Sequence, residues 1–182
     1  QGFCGFLRTA PERTYKYLRS GSTEMPQKSN AAVESMNRFL LAFDCGPGNA
    51  LMDDYMLTRL GKKFDKGGTL AARGCVDEEL VTGWMDHEFF ALTPPKSLDR
   101  NAWNCTDVEE LSAEDALATL NEFTARSIAH AAKFLPVPPR IWMVTGGGRL
   151  NHHLMGRLST LLHVPVKSVD DLGWNGDALE AE

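Results

Sequence analysis

The sequence lacks a long apolar run, an initiator methionine, a close cysteine pair and a basic excess, and each absence removes a class of protein. Its longest apolar stretches, such as Phe39-Leu40-Leu41-Ala42-Phe43, fall far short of the roughly 20 residues a membrane-spanning helix needs. The opening residues Gln1-Gly2-Phe3-Cys4 lack the basic start and apolar core of a secretory signal. With no Met ahead of them, the chain reads as a fragment. Cys4, Cys45, Cys75 and Cys105 lie 30 or more residues apart. That spacing argues against a zinc site and against a dense disulfide framework, and reduced thiols in a cytoplasmic protein are the simplest account. His152 and His153 are adjacent, so on a helix they point about 100° apart and do not share a metal. His87, in Asp86-His87-Glu88, reads as a polar surface corner rather than part of a triad. A net charge of −5 gives no basic face for phosphates, which excludes a general nucleic-acid binder.

What is present is ordinary globular composition: 182 residues, 43% hydrophobic and 24% charged. This length implies one domain, or one domain and a small piece. The charge is uneven. Residues 1–40 carry six Lys/Arg against three Asp/Glu, leaving 13 against 21 for residues 41–182. A weakly basic, solvated opening segment is the plain reading of that asymmetry.

Turn and cap signals organise the rest. The run at residues 39–43 fits a buried strand, although a helix has the same pattern. Cys45-Gly46-Pro47-Gly48-Asn49 then breaks the chain, and residues 50–60 read as a helix that stops at Gly61. Asp77 caps a helix reaching about Met85, with Glu78 and Glu79 in its first turn. Thr93-Pro94-Pro95-Lys96-Ser97 is extended by its prolines. Ser112 opens the longest helix, with Leu117, Leu120, Ile128, Ala131 and Leu135 as an apolar stripe, and Pro136 follows it. Residues 140–145 form a strand candidate leading into Gly146-Gly147-Gly148, with helical spacing over 150–162 and a short strand at 163–166. Strand, Gly-rich turn and helix therefore occur twice, which implies an α/β fold.

Three segments carry candidate chemistry. Asp44 stands at the end of a strand candidate, where α/β folds place ligands, and Gly46, Gly48 and Asn49 lead into a helix N-terminus suited to phosphate. A carboxylate beside a phosphate site points to a kinase or phosphatase, while a plain capped turn explains the same residues equally well. Gly146, Gly147 and Gly148, with Asn151 after them, let a backbone approach a base or ribose. They match neither the dinucleotide fingerprint nor a Walker A loop, and a structural turn is as good an account. Lys96 presents either a point charge for an anion or, as is commoner after a Pro-rich turn, a solvated ammonium. Trp84, Trp103, Trp142 and Trp174 read as core or rim packing.

In their order, Phe43-Asp44-Cys45-Gly46-Pro47-Gly48-Asn49-Ala50-Leu51-Met52-Asp53-Asp54, Pro94-Pro95-Lys96-Ser97 and Gly146-Gly147-Gly148-x-x-Asn151 resemble the anhydro-N-acetylmuramic acid kinase family. Lys63-x-Asp65, Gly67, Gly68, Leu70-Ala71-Ala72 and the closing Ala178-Leu179-Glu180-Ala181-Glu182 support the match. The resemblance runs from about Ala42 to the last residue. It implies an α/β fold of the actin/hexokinase-like (ribonuclease H-like) type, here incomplete. Residues 1–41 would be an unmatched leader and 42–182 a truncated C-terminal ATPase-like domain.

The implied reaction opens the 1,6-anhydro ring of the amino sugar and phosphorylates O6 with ATP and Mg²⁺, in peptidoglycan recycling. The resemblance makes Asp44 the base that activates water. It puts Gly46, Gly48 and Asn49 on the phosphate side, Gly146, Gly147, Gly148 and Asn151 on the nucleotide side, and Glu180 near the sugar. Partners would be the sugar and ATP, with no nucleic acid and no membrane, and a homodimer is left open. Carboxylates are ionised at neutral pH but are weak bases, so positioning and charge stabilisation must assist them.

Three departures stand out. Cys45 replaces the usual Thr, the Gly-Thr-Ser-x-Asp-Gly phosphate loop is absent, and so is the Asn-x-Gly-Gly-Ile-Ala-Asn segment expected ahead of Asp44. They keep a second expectation in play, a non-catalytic nucleotide-binding module or an inactive fragment.

Overall fold

Ser112 starts the element around which the fold is arranged. The structure, a computed structural model, describes residues 41–177. Helix α1 spans Ala50–Leu60 and ends at Gly61, whose φ of 62° is the left-handed conformation a helix stop requires. Helix α2, Glu78–Met85, is capped by the Asp77 carboxylate, which accepts from the amides of Glu79 and Leu80, each at 3.0 Å. Helix α3, Ala113–Ala131, is capped by Ser112 Oγ accepting from Asp115 N at 3.2 Å. Strands β1, Trp142–Val144, and β2, Val166–Ser168, pair in parallel with Trp142 opposite Val166. Helix α4, His152–Leu162, connects them and packs on α3. Parallel strands need such a crossover, so this stretch is a β-α-β unit.

Two apolar clusters meet at α3. Leu117, Leu120 and Phe123 join Met52 and Met56 of α1, Val81 of α2, Phe89, Phe90 and Trp103 in the larger. Ala125 joins Leu154 and Leu158 of α4, with Val144 and Val166 against them, in the smaller. Each fully buried Leu or Phe contributes about 1.5–3 kcal/mol. The expected stripe on α3 understates its burial, because every residue from 116 to 125 is buried. Most of its polar positions are accommodated by partners, Asn121 Nδ2 being buried with none among the described residues. Thr119 Oγ1 accepts from Asp77 N at 3.0 Å, and Thr124 Oγ1 donates to Gly48 O at 2.9 Å. Glu122 is held by two arginines. Most buried polar groups in a core are bonded in this way.

Residues 39 and 40 of the expected strand at 39–43 lie outside the described residues; Leu41 makes a β-bridge and residues 42–45 are irregular, so strand structure does not reach Phe43. Phe43 instead packs edge-on against Phe134 at 5.7 Å, and the next amide, Asp44 N, bonds Lys96 O at 3.0 Å. Mixed α/β architecture therefore rests on the β1-α4-β2 unit. Of the cysteines, Cys75 and Cys105 are free thiols, Cys105 pushed up to about 12 by burial and by Asp107. Cys45 is in a disulfide, contrary to the expectation of reduced thiols throughout.

Candidate active site

Asp44 and the Pro-rich segment, some fifty residues apart in the chain, meet directly. Ser97 Oγ donates to Asp44 Oδ2 at 2.6 Å, and Leu98 N donates to the same oxygen at 3.2 Å. Among the described residues nothing donates to Oδ1. The carboxylate is half-buried. Among the described residues it is thus anchored through one oxygen alone.

The turn after Asp44 is built on α3. A Cβ on Gly46 would collide with the Ser127 side chain, so the close approach to α3 favours glycine here. Gly48 has a φ of 60°, which L side chains rarely adopt, and its carbonyl accepts from Thr124. Asn49 ends the turn as the residue before α1, yet its side chain makes no capping bond. In α2, α3 and α4 the cap is filled by Asp77, Ser112 and Asn151. Uncapped N-terminal amides carry partial positive charge and suit an anion.

The side-chain amide of Asn49 reaches the second glycine turn. A Cβ on Gly147 or Gly148 would lie 3.6 Å from it. Asp44, the turn at 46–49 and the turn at 146–148 therefore form one continuous region. Gly146 has a φ of 65°, and its amide bonds Gly176 O at 3.1 Å.

Arg149, which the motif reading left as an unspecified position, locks this turn from below. Its Nη1 donates to Gly146 O at 2.8 Å and meets Asp177 Oδ1 at 2.8 Å, while Nε meets Asp170 Oδ2 at 2.7 Å. The Arg149 contact first, and the Gly176 amide donating to Asp170 Oδ1 at 3.1 Å second, hold the Asp170 carboxyl below its usual range. An arginine inside a glycine turn with Asp170 and Asp177 downstream was the available signal.

Two further residues differ from their sequence reading. Asn151 is buried, its Oδ1 accepting from Leu154 N at 3.0 Å and its Nδ2 donating to Asn121 Oδ1 at 3.3 Å. Its side chain thus caps α4 and joins it to α3. Lys96 is buried too, so the solvated ammonium and the exposed point charge both give way. Its Nζ donates to Phe89 O at 2.9 Å and lies 4.3 Å and 4.8 Å from the Phe89 and Phe134 ring centroids. Burial, then Lys133, lowers its pKa. Asp65 likewise serves the fold, accepting from the amides of Leu70 and Ala71. Glu180 lies outside the described residues.

Known proteins match this chain along most of its length. The family described as anhydro-N-acetylmuramic acid kinase matches residues 27–182, beginning ahead of Ala42. A kinase of that name from Paramagnetospirillum magneticum is 49% identical over 148 residues, covering 79% of this chain and 41% of the relative. One from Rhizorhabdus wittichii is 46% identical over 143 residues, covering 79% and 39%. One from Rhodopseudomonas palustris is 49% identical over 144 residues, again covering 79% and 39%. The chain spans about two-fifths of the length of these curated relatives. With the family matched over residues 27–182 and the three motifs drawn together in space, the chain belongs to the anhydro-N-acetylmuramic acid kinase family.

Proposed function

We propose that the chain supplies the C-terminal part of an ATP-dependent kinase that opens 1,6-anhydro-N-acetylmuramic acid and phosphorylates it to N-acetylmuramic acid 6-phosphate. The domain would be an incomplete actin/hexokinase-like one, cytoplasmic, with the sugar and ATP as its small-molecule ligands. The observation that carries the reading is the Asn49 amide beside Gly147 and Gly148, which joins the turn next to Asp44 to the second glycine turn.

A nucleotide fits the residues present. The bare backbone of Gly147 and Gly148 beside Asn49 is a surface that side chains would cover. Asn49 puts no side-chain cap on α1, whose first amide, Ala50 N, donates to Pro47 O at 3.3 Å. ATP with its Mg²⁺ supplies the phosphoryl group and neutralises its charge, and Mg²⁺ is held largely by the phosphates and water.

Asp44 Oδ1 takes a proton from water as the water oxygen bonds the anomeric carbon. The C1–O6 bond breaks, its electron pair stays on O6, and O6 takes the phosphoryl group as ADP leaves. Gly46, Gly48 and Asn49 hold the phosphate side; Gly146, Gly147 and Gly148 hold the nucleotide side. Asn151 keeps α4 in place beneath them, and Glu180 would face the sugar.

The full-length protein containing these residues, given ATP and 1,6-anhydro-N-acetylmuramic acid, yields ADP and the 6-phosphate by mass spectrometry. No product with ATP bound contradicts the kinase. The 182 residues alone lack the Gly-Thr-Ser-x-Asp-Gly loop, which supports nucleotide binding without turnover for this segment. Calorimetric titration with ATP tests that.

A further inference from the structure

The Asp44 carboxylate is gripped from one direction. Both donors to Oδ2, Ser97 Oγ at 2.6 Å and Leu98 N at 3.2 Å, come from a single segment. The same segment accepts from the Asp44 amide through Lys96 O at 3.0 Å. Lys96 ties that segment to the core through Phe89 O and the rings of Phe89 and Phe134. A carboxylate otherwise turns freely about its last torsion. A short hydroxyl-to-carboxylate bond is among the stronger neutral-to-charged contacts and fixes orientation as well as energy.

We propose that Ser97 is a positioning residue for Asp44, holding Oδ2 so that Oδ1 faces the attacking water. The proposal rests on Asp44 being the base. Ser97 itself needs no contact with sugar or nucleotide, since it acts through the carboxylate. Loss of its hydroxyl leaves the Leu98 amide in place, so the base is misaligned rather than removed. The effect therefore falls on kcat and spares both KM values.

Four variants of the full-length protein containing these residues test this: Asp44→Asn, Ser97→Ala, Ser97→Cys and Ser97→Thr. Ser97→Ala and Ser97→Cys should lower kcat about 10-fold, with KM for sugar and ATP within about twofold. Ser97→Cys keeps the side-chain volume and replaces the hydroxyl by a weak donor. Ser97→Thr restores the hydroxyl and should restore kcat. Ser97→Cys and Ser97→Thr are compared by thermal unfolding, so a folding defect in Ser97→Ala does not decide the outcome. Full kcat in Ser97→Cys with Asp44→Asn inactive overturns the positioning role and leaves Asp44 as base. An effect on KM alone, or equal losses in Ser97→Thr and Ser97→Cys, overturns it as well. Full activity in Asp44→Asn overturns the reading of the base itself, and the proposal with it.

Discussion

Ser127 on α3 occupies the space that a side chain on Gly46 would need. The glycine after Asp44-Cys45 is therefore set by close approach to a helix, not by backbone conformation, since its φ is not in the left-handed region. Gly46→Ala should destabilise the protein by about 1–3 kcal/mol through overpacking. Adding Ser127→Gly removes the collision, so the double variant should be more stable than the sum of the two single changes implies. Urea unfolding of the four proteins reads this, and strict additivity would contradict the contact.

Glu122 is 2% exposed and is shared by two arginines that are each about one-third exposed. Its Oε1 meets Arg126 Nε at 2.7 Å and its Oε2 meets Arg157 Nε at 2.7 Å. Burial pushes the carboxyl up, but the hydrogen bonds from Arg157 and Arg126 outweigh it and hold it below the usual range. Glu122→Gln strips the charge from that site and should cost about 1–2 kcal/mol, less than a fully buried pair because both arginines reach solvent and Arg126 keeps Glu78. A change within about 0.5 kcal/mol, typical of surface substitutions, would show that the network adds nothing.

His130 gives a pH dependence of known sign. Burial first, then Lys133 and Lys96, lower its pKa below the ordinary histidine value of 6.5. Lys133 Nζ lies 2.6 Å from its Nε2, and an ammonium can only donate, so that nitrogen is unprotonated. Because the folded state resists protonation, stability is full above the unfolded value, about 6.5, and falls as pH drops through and below it. Denaturant midpoints should decline from pH 7 to 5.5, and His130→Gln should flatten that decline. Equal slopes in both proteins would remove His130 from the account.

Arg149 should report on the nucleotide side. Lysine cannot reproduce its fork to Gly146, Asp170 and Asp177. Arg149→Lys should loosen the turn and raise the Kd for ATP by about 10-fold, the loss of one charge-assisted bond. Calorimetry with unchanged Kd would place the turn away from the nucleotide.

Local signals carried much of the fold. Asp77 and Ser112 are caps whose function lies within three residues of them, and Gly61 is a stop of the same kind, so α1, α2 and the start of α3 were legible. The ordered motifs also marked the family. The burial of α3 was not legible, because Glu122 reads as a surface residue until Arg157 arrives from α4. Lys96 misled for the same reason: its place among Phe89 and Phe134 depends on distant segments. Asn151 matched a motif, yet its amide caps a helix. The run at 39–43 has strand composition throughout, yet strand structure does not reach Phe43, because pairing is a property of two segments and the next amide, Asp44 N, bonds Lys96 O.

The most direct test of the central claim is the turnover of Asp44→Asn in the full-length protein, with ATP binding followed in parallel. Loss of kcat by about 100- to 10,000-fold with ATP affinity retained is the result expected of a general base. Undiminished formation of the sugar 6-phosphate by Asp44→Asn would contradict the account at its centre.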